Sequence, residues 1–337
     1  MSSAAAGIQW DGVLVRFGEI GIKSAPVRRQ MLERLRQNLL DGMVAGRVEG
    51  DAQRVGSRLW MVGPDVPALV RVATHTFGVV SASPARRVPP TLESIGAVAS
   101  ELALRYPWTS FAIRARREGR HPFTSQDVNV QVGSAVYRAA EAAGRKPKVD
   151  LGKPDFALEI DVRQDKAYLF TEQHEGPGGI PVGTQGTVLA LVSDPASFVA
   201  AWLMMRRGCA VVPLHAGTSG SLPLEAMEAM AAWGLPREAE VLPLCKGMVS
   251  KPVLLEAAAV VAKERGATAL VTGEDLSSEL CAAPLPVLRP VCGLDPEERA
   301  RWETRVGLPS FEPVAVLDAK GPETVASALS MRLRVTA

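Results

Sequence analysis

Residues 186–209, GTVLALVSDPASFVAAWLMMRRGC, have the pattern of a buried strand, a short loop and a helix. The apolar run VLALV has the length of a buried strand, and FVAAWLMMRRG has the length and composition of a helix. In an open parallel sheet, the loop after such a strand lies where ligands bind, and the following helix directs amide groups toward them. Loops that hold phosphates are rich in glycine, because the backbone must approach the anion closely. This loop carries Asp194 and Pro195 instead.

Both residues of the loop oppose phosphate binding. Pro195 has no N–H to donate, and Asp194 brings a negative charge to the site. An aspartate can hold Mg²⁺ and thereby, indirectly, a phosphate. The alternative is an ordinary helix start, with Asp194 or Ser193 as the N-cap residue. The deciding question is whether the crevice beside the loop is open or is filled by the side chains of Pro195 and Phe198.

Strands and helices alternate along the chain after this stretch. The segments AVVPLHA, LEAMEAMAAWG, EVLPLC, KPVLLEAAAVVAKERG and ALVTGE follow in that order. They predict a Rossmann-like α/β domain, in which helices cover both faces of a parallel sheet. His215 and Gly273 lie at strand ends and Lys251 lies at a helix start, where each could reach a ligand or have a structural role only. Residues 272–275 could line the same crevice, or could turn into a helix capped by Asp275.

Two smaller α+β segments precede the α/β domain. The first has a strand in VLVRFGEIGIK, a helix starting at Ser24 or Ala25 before Pro26, strands at GRVEG and VGSRLWMVG, and a helix at 65–76. This order predicts a ferredoxin-like unit. The second has helices at 92–105 and 126–143 and strands at 110–116, FALEIDV and KAYLFTEQ. The glycine- and proline-rich residues 176–186 predict a linker.

The composition indicates a globular protein with several domains. The chain has 337 residues, of which 47% are hydrophobic and 22% charged, and its net charge is +2. Its four cysteines lack C-x-x-C spacing, which is typical of a reducing compartment, and we predict no bound metal. No signal peptide and no apolar run of about 18 residues occurs, so we expect a soluble cytoplasmic protein without a membrane partner.

Basic residues are concentrated in two places. Residues 112–148 contain eight Lys or Arg against three Asp or Glu, and the first helix carries a second cluster. Such clusters bind nucleic-acid phosphates, although an isolated basic run is more often an exposed helix face. Two clusters in adjacent small domains favour RNA, recognised by backbone and shape because aromatic residues nearby are few. The candidate RNA-binding residues are Lys23, Arg28, Arg29, Arg114, Arg116, Arg117, Arg120 and His121.

Six ordered segments resemble a known protein family. They are VLVRFGEIGIK with the basic helix after it, THTFGVVSASPA, FAIRARREGRHPFTSQDVN, VDLGKPDFALEIDVRQDKAYLF, EGPGGIPVGTQGTVLALVS and AAWLMMRRGC. Over residues 12–310 the chain resembles the tRNA 4-thiouridine synthetases, also called tRNA sulfurtransferases. The resemblance implies a ferredoxin-like domain at 1–80, a tRNA-binding THUMP domain at 81–175 and a PP-loop ATP pyrophosphatase-type domain at 176–337. It further implies tRNA as partner, ATP and Mg²⁺ as cofactors of an active enzyme, and a tendency to form homodimers.

The chain departs from the family's nucleotide loop, S-G-G-x-D-S. Aligned without a gap, residues 192–197 read VSDPAS, so only Ser197 matches, and a one-residue gap matches Ser193 but restores no glycine. The resemblance assigns degenerate nucleotide contacts to Leu191, Ser193, Ser197, His215, Lys251 and Gly273. The glutamine expected after TGE falls on Ala282, and the sulfur-carrying cysteine expected after the LRP segment is missing. No catalytic residue is therefore assigned.

Three interpretations are consistent with this sequence. The first is a tRNA-binding family member with impaired uridine adenylation, which presents tRNA to a separate catalytic partner. Each lost charge-assisted hydrogen bond would weaken ATP binding by about 1.5–3 kcal/mol. The second is an active ATP-dependent tRNA sulfurtransferase that uses an external sulfur donor. The third is a non-catalytic protein-interaction module, which an absence of tRNA binding at about 0.1 M salt would favour.

Overall fold

The structure is a computed structural model that describes residues 8–217, 222–242, 250–311, 329 and 332–336. The helices are α1 (Ala25–Ala45), α2 (Val66–Thr74), α3 (Leu92–Arg105), α4 (Ser125–Ala142), α5 (Pro195–Arg206), α6 (Leu224–Ala231), α7 (Lys251–Glu264) and α8 (Pro296–Val306). The strands are β1 (Gly12–Phe17), β2 (Asp51–Val55), β3 (Arg58–Val62), β4 (Val79–Val88), β5 (Ser110–Arg117), β6 (Lys148–Val149), β7 (Phe156–Val162), β8 (Ala167–Phe170), β9 (His174–Glu175), β10 (Thr187–Leu191), β11 (Ala210–Ala216), β12 (Glu238–Leu242), β13 (Ala267–Val271), β14 (Val287–Leu288) and β15 (Leu333–Thr336). None of the helices in these described ranges is both long and apolar enough to cross a bilayer.

The chain divides into two compact units. The first comprises Met1–Gly21, Leu39–Thr74 and Val79–Gly176, and the second comprises Ile22–Asn38, His75–Gly78 and Pro177–Ala337. Residues 25–38 of helix α1 therefore belong to the second unit, and residues 39–45 belong to the first.

The first unit is built on one nine-stranded sheet. Its strand order is β2-β3-β1-β4-β8-β7-β5-β6, with β9 paired to β4. Strands β1 to β4 are antiparallel neighbours, whereas β5 runs parallel to both β6 and β7. The order β1-α1-β2-β3-α2-β4 is the one predicted for a ferredoxin-like unit, and it is confirmed.

The predicted domain boundary at residues 80 and 81 falls inside strand β4. The first part of β4 pairs with β1, and its last residues, 86–88, pair with β8. The two small segments are thus joined by strand β4, which pairs with a strand of each, in one compact unit. The predicted strand at GRVEG is wrong: these residues lie between α1 and β2, and Arg47 there has a φ of 52°, which no extended strand allows.

A buried charge cluster ties the two halves of the first unit together. Asp161, only 4% exposed, accepts a hydrogen bond from Arg163 Nη2 at 2.7 Å and lies 3.4 Å from Arg58 Nε. Arg163 also donates to Ser57 Oγ at 2.8 Å and to the carboxylate of Glu118. Because buried charges are costly unless they are paired, this cluster holds the β2–β3 hairpin against the ends of β5 and β7.

The second unit has the predicted α/β architecture. Its sheet has the order β14-β13-β10-β11-β12-β15, with all strands parallel except β15, which is antiparallel to β12. Helix α5 is buried on nearly all sides, which explains its almost continuous apolar sequence. Its Trp202 ring packs 5.1 Å from Phe77, 5.4 Å from Trp233 and 5.3 Å from Trp302, measured between ring centroids.

Strand β15 is held by a buried carboxylate. Glu240 on β12, 5% exposed, accepts hydrogen bonds from Arg332 Nε at 2.8 Å and from Arg334 Nε at 3.1 Å. Arg265 donates to the same carboxylate. The guanidinium groups offset the cost of burying Glu240.

Residues 176–186, predicted as a linker, form an ordered segment from residue 177 onward within the second unit. Arg206 Nε donates to the carbonyl oxygen of Pro177 at 2.9 Å, and Arg34 Nε donates to that of Val182 at 2.9 Å. Gly179 has a φ of 71°, and a Cβ added there would lie 2.1 Å from the carbonyl oxygen of Arg206. The glycines of this segment therefore serve close packing as well as turning.

Candidate functional site

The loop between β10 and α5 is closed by its own hydrogen bonds. Asp194 is the N-cap residue of α5, and its Oδ1 accepts from the N–H of Ser197 at 2.7 Å. Ser197 Oγ accepts from the N–H groups of Ser193 at 3.0 Å and of Asp194 at 3.1 Å. It donates to the carbonyl oxygen of Asp194 at 2.6 Å. This capping box supports the interpretation as an ordinary helix start and selects Asp194 over Ser193 as the cap.

The capping box leaves little for an anion to bind. The N–H groups of Ser193, Asp194 and Ser197 are already engaged, and Pro195 has none. The N–H of Ala196 has no hydrogen-bond partner within the described part of the chain, but Ala196 does not line the adjoining cavity. The loop therefore presents a carboxylate where a phosphate-binding loop presents amides.

A cavity of about 410 Å³ lies beside this loop, at the carboxyl ends of the parallel strands. The predicted residues that line it are Leu191, Ser193, Ser197, Lys251 and Gly273. The other lining residues are Val192, Asp194, Ala216, Leu254, Leu255, Thr272, Glu274, Asp275 and Ser278. Neither Pro195 nor Phe198 lines the cavity, and Phe198 is fully buried in the core of the second unit. The crevice is therefore open.

His215 departs from its predicted role as a nucleotide contact. Its side chain is fully buried and does not line the cavity, and its Nδ1 lies 2.9 Å from the carbonyl oxygen of Val192. Successive residues of a strand face opposite sides, and it is Ala216, the next residue, that lines the cavity. Burial lowers the pKa of His215, so the ring is neutral near pH 7. His215 positions the end of β10.

Gly273 has a packing reason to be glycine, independent of any ligand. A Cβ added at this residue would lie 2.4 Å from the backbone N of Ser197 and 2.7 Å from the carbonyl carbon of Ala196. The chain just after β13 thus touches the first turn of α5 directly. Any side chain at 273 would push the two segments apart.

The polar lining of the cavity is mainly acidic. Lys251 Nζ lies 2.7 Å from Glu274 Oε1 and also donates to the carbonyl oxygen of Glu279. Asp275 Oδ1 accepts from the hydroxyl of Ser277 at 2.6 Å and from its N–H at 3.0 Å, and the hydroxyl bond is the main cause of the lowered pKa of Asp275. Of the two interpretations of residues 272–275, the lining of the crevice is the one observed, and no helix follows Asp275. With the Asp194 carboxylate, the described residues of the lining have three acidic groups and one ammonium, which is already paired with Glu274.

One buried hydroxyl at the cavity lacks a partner. Thr272 is 5% exposed, lines the cavity, and has no hydrogen bond to its Oγ1 among the described residues. The same part of the chain contains no group of three or more His, Cys, Asp or Glu residues placed to hold a metal ion.

The candidate RNA-binding residues of the first unit lie on β5 and the loop after it. Four are exposed arginines and one is a partly buried histidine: Arg114, Arg116, Arg117, Arg120 and His121. Arg114 Nη1 lies 3.7 Å from Glu159 Oε1, and Arg117 Nη1 donates to the carbonyl oxygen of Gly119 at 2.8 Å. The His121 ring stacks on Phe123 with a centroid distance of 5.3 Å. These contacts order the loop and leave guanidinium surface available to phosphates.

The remaining candidates belong to the second unit, at and just before the start of α1. Arg29 is exposed, and Lys23 and Arg28 are partly exposed. The helix begins at Ala25, as predicted, and the N–H of Arg28 donates to the carbonyl oxygen of Ser24 at 2.8 Å. The predicted RNA-binding residues thus form one group in each unit.

Two protein-family models match the chain. The THUMP domain model matches residues 90–172, and the model described as thiamine biosynthesis protein (ThiI) matches residues 183–232. A segment that matches the THUMP domain model, followed by an α/β unit with an open cavity, defines the class of this protein.

Curated relatives identify the family within that class. The tRNA sulfurtransferase of Pyrobaculum aerophilum is 34% identical, over 92% of this chain and 68% of that protein. A probable tRNA sulfurtransferase of Methanosarcina acetivorans is 30% identical, over 88% and 81% respectively. The chain belongs to the tRNA sulfurtransferase family. A probable tRNA sulfurtransferase of Halobacterium salinarum is 42% identical, but the match spans only 53% of that protein.

Two solved structures share the fold. PH1313 from Pyrococcus horikoshii, 26% identical, has a TM-score of 0.72 over 88% of this chain and 99% of that one. A 4-thiouridine synthetase in complex with RNA and ATP, 20% identical, has a TM-score of 0.74 over 97% and 99% respectively. The latter establishes the fold alone.

Proposed function

We propose that this chain is a tRNA-binding protein of tRNA thiolation whose α/β unit retains its fold and cavity but has little affinity for ATP. The observation that carries the proposal is the capping box of Ser193, Asp194 and Ser197, because it engages the amides that a phosphate would need. In this proposal residues 81–175 bind tRNA as a THUMP domain, and residues 176–337 are a degenerate PP-loop-type domain. A tRNA partner implies a cytoplasmic location, and a separate catalytic protein would complete the reaction.

The tRNA-binding half of the proposal rests on exposed, ordered arginines. Arg114, Arg116 and Arg117 lie on one strand, and their surroundings fix the backbone that presents them. The related 4-thiouridine synthetase of the same fold is a complex with RNA. Because THUMP-type contacts here involve few aromatic side chains, phosphate neutralisation is the main expected source of affinity.

Binding to tRNA at increasing salt tests this half. Fluorescence anisotropy with purified chain is expected to give an affinity that falls steeply between about 0.05 and 0.2 M salt. Replacing Arg114 or Arg116 by Ala should lower the slope of log K against log salt by about one each. Arg301→Ala, which changes an exposed arginine on α8, is the control. A slope that is the same in all variants would refute the assignment.

Titration with ATP tests the other half. Isothermal calorimetry in the presence of Mg²⁺ is expected to give a dissociation constant for ATP above about 1 mM. This constant corresponds to a binding free energy of less than about 4 kcal/mol in magnitude. Micromolar ATP binding, or adenylation of uridine in tRNA by the purified chain, would refute the proposed loss of ATP affinity.

A second candidate is an active ATP-dependent tRNA sulfurtransferase that takes sulfur from an external donor. It is favoured by the open cavity and by Lys251, which lines that cavity from the first residue of α7. Mass spectrometry of tRNA from a deletion strain separates the two candidates. Restoration of 4-thiouridine by the wild-type gene but not by Lys251→Ala would favour catalysis by this chain. Restoration by both the wild-type gene and Lys251→Ala would favour the first candidate, in which this chain contributes tRNA binding and not ATP chemistry.

A further inference from the structure

The cavity beside α5 is open, although the amides of the loop between β10 and α5 are engaged in the capping box. Its volume of about 410 Å³ lies in the range of small-molecule sites. Leu191, Ala216, Leu254 and Leu255 provide an aliphatic wall. Such a wall suits a flat, uncharged ring system, which gains from leaving water and makes no demand on charged groups.

The buried hydroxyl of Thr272 points to a ligand at this place. Nearly all buried polar side-chain atoms in proteins have a hydrogen-bond partner, and an exception calls for an explanation. Thr272 Oγ1 is buried, lines the cavity, and has no partner among the described residues. A ligand hydroxyl, carbonyl or ring nitrogen in the cavity would provide the missing hydrogen-bond partner, since the Thr272 hydroxyl can both donate and accept.

The charges of the lining decide which ligand chemistry is accepted. Lys251 is paired with Glu274, so the described residues of the lining offer no unpaired cation to a phosphate. Asp194 Oδ2 accepts only a long hydrogen bond, 3.3 Å, from Ser193 Oγ, within the described part of the chain. A carboxylate in this position can accept further hydrogen bonds from ribose hydroxyls, as acidic residues do in nucleotide-binding sheets. Phosphates present acceptors only and would be repelled.

We propose that this cavity binds an unphosphorylated ribonucleoside and discriminates against its phosphate esters. The aliphatic wall receives the base, Thr272 hydrogen-bonds to the ligand, and Asp194 accepts from a ribose hydroxyl. The proposal rests on the proposed function in one respect, the loss of phosphate binding at residues 193–197. It adds the ligand class that the remaining cavity selects.

Calorimetry on the full chain with adenosine, AMP and ATP as probes tests the proposal. At about 0.05 M salt, where charges are least screened, adenosine is expected to bind at least about tenfold more tightly than AMP. Thr272→Val keeps the side-chain shape and should weaken adenosine binding about five- to tenfold. Thr304→Val, on the exposed face of α8, is the matched control and should change nothing. Asp194→Asn retains a good N-cap and should bring the affinities for AMP and adenosine closer together.

The possible results separate this inference from the proposed function. If adenosine and ATP both fail to bind, the inference is overturned and the proposed function stands. If AMP or ATP binds as tightly as adenosine, both the inference and the proposed function are refuted. If adenosine binds but Thr272→Val binds it equally well, the assignment of the site is wrong, and the melting temperature of the variant shows whether the protein is folded.

Discussion

Replacing Gly273 by alanine is expected to destabilise the second unit by forcing α5 away from the chain that follows β13. The added Cβ would lie 2.4 Å from the backbone N of Ser197 and 2.7 Å from its Cα, whereas ordinary contacts of this kind are 3.4 Å or longer. Backbone atoms cannot rotate aside as a flexible side chain can, so the first turn of α5 must move. That turn also carries the capping box.

The size of the effect follows from this overlap. Overpacking of a well-packed interior costs about 1–3 kcal/mol. For a unit of 150–250 residues, each kcal/mol lowers the melting temperature by about 2–4 °C. We therefore expect Gly273→Ala to melt about 4–8 °C below the wild type, taking about 2 kcal/mol as the central value.

Thermal unfolding followed by calorimetry measures this effect, and Gly293→Ala is the matched control. A Cβ at Gly293 would meet no atom within 4 Å, and its φ lies outside the left-handed region. That variant should be neutral or slightly more stable, because alanine restricts the unfolded chain. A melting temperature of Gly273→Ala that equals those of the wild type and Gly293→Ala would refute the packing argument and leave ligand contact as the reason for this glycine.

Three further predictions concern buried charged or titratable groups. Asp161→Ala should lower the free energy of unfolding by about 3 kcal/mol in urea titrations, because it removes the buried carboxylate that Arg58 and Arg163 share and leaves Arg163 with the exposed Glu118 as its acidic partner. Asp165→Ala in the exposed turn nearby should change this free energy by less than about 0.5 kcal/mol. Glu240→Gln should raise the rate of amide hydrogen exchange in β15, since it removes the charge that binds Arg332 and Arg334. Glu238→Gln, at an exposed position of β12, should leave this rate unchanged. His215 has a lowered pKa in the folded state, so the unfolded chain binds the extra proton first. The stability that neutral His215 contributes is present above about pH 6.5 and is lost as the pH falls, and His215→Asn should remove this part of the acid sensitivity seen in unfolding between pH 7 and 5. An acid profile unchanged by that substitution would contradict the assignment.

Much of the fold could be predicted from local sequence. Helix α3 and strand β7 have the predicted bounds, because hydrophobic periodicity and turn residues act over a few neighbouring residues. The prediction of a strand at GRVEG was wrong because Arg47 adopts a left-handed backbone conformation just after α1. This conformation is rare for residues other than glycine, so an arginine does not predict it. The boundary predicted between residues 80 and 81 lies inside β4, which pairs with β1 and with β8, and the partners of a strand cannot be read from its own residues.

The candidate site shows the same division between local and distant causes. By itself, the sequence determined that the helix start at residues 193–197 contains a proline and no glycine, because a proline excludes an amide wherever it lies. It left Ser193 and Asp194 as alternative cap residues, and the structure selected Asp194. Only the tertiary structure decided that the crevice is open, that His215 is turned away from it, and that Thr272 lies in it without a hydrogen-bond partner among the described residues. These properties depend on how strands and helices far apart in the chain pack against one another, and close packing of that kind has no signature in any short stretch of residues.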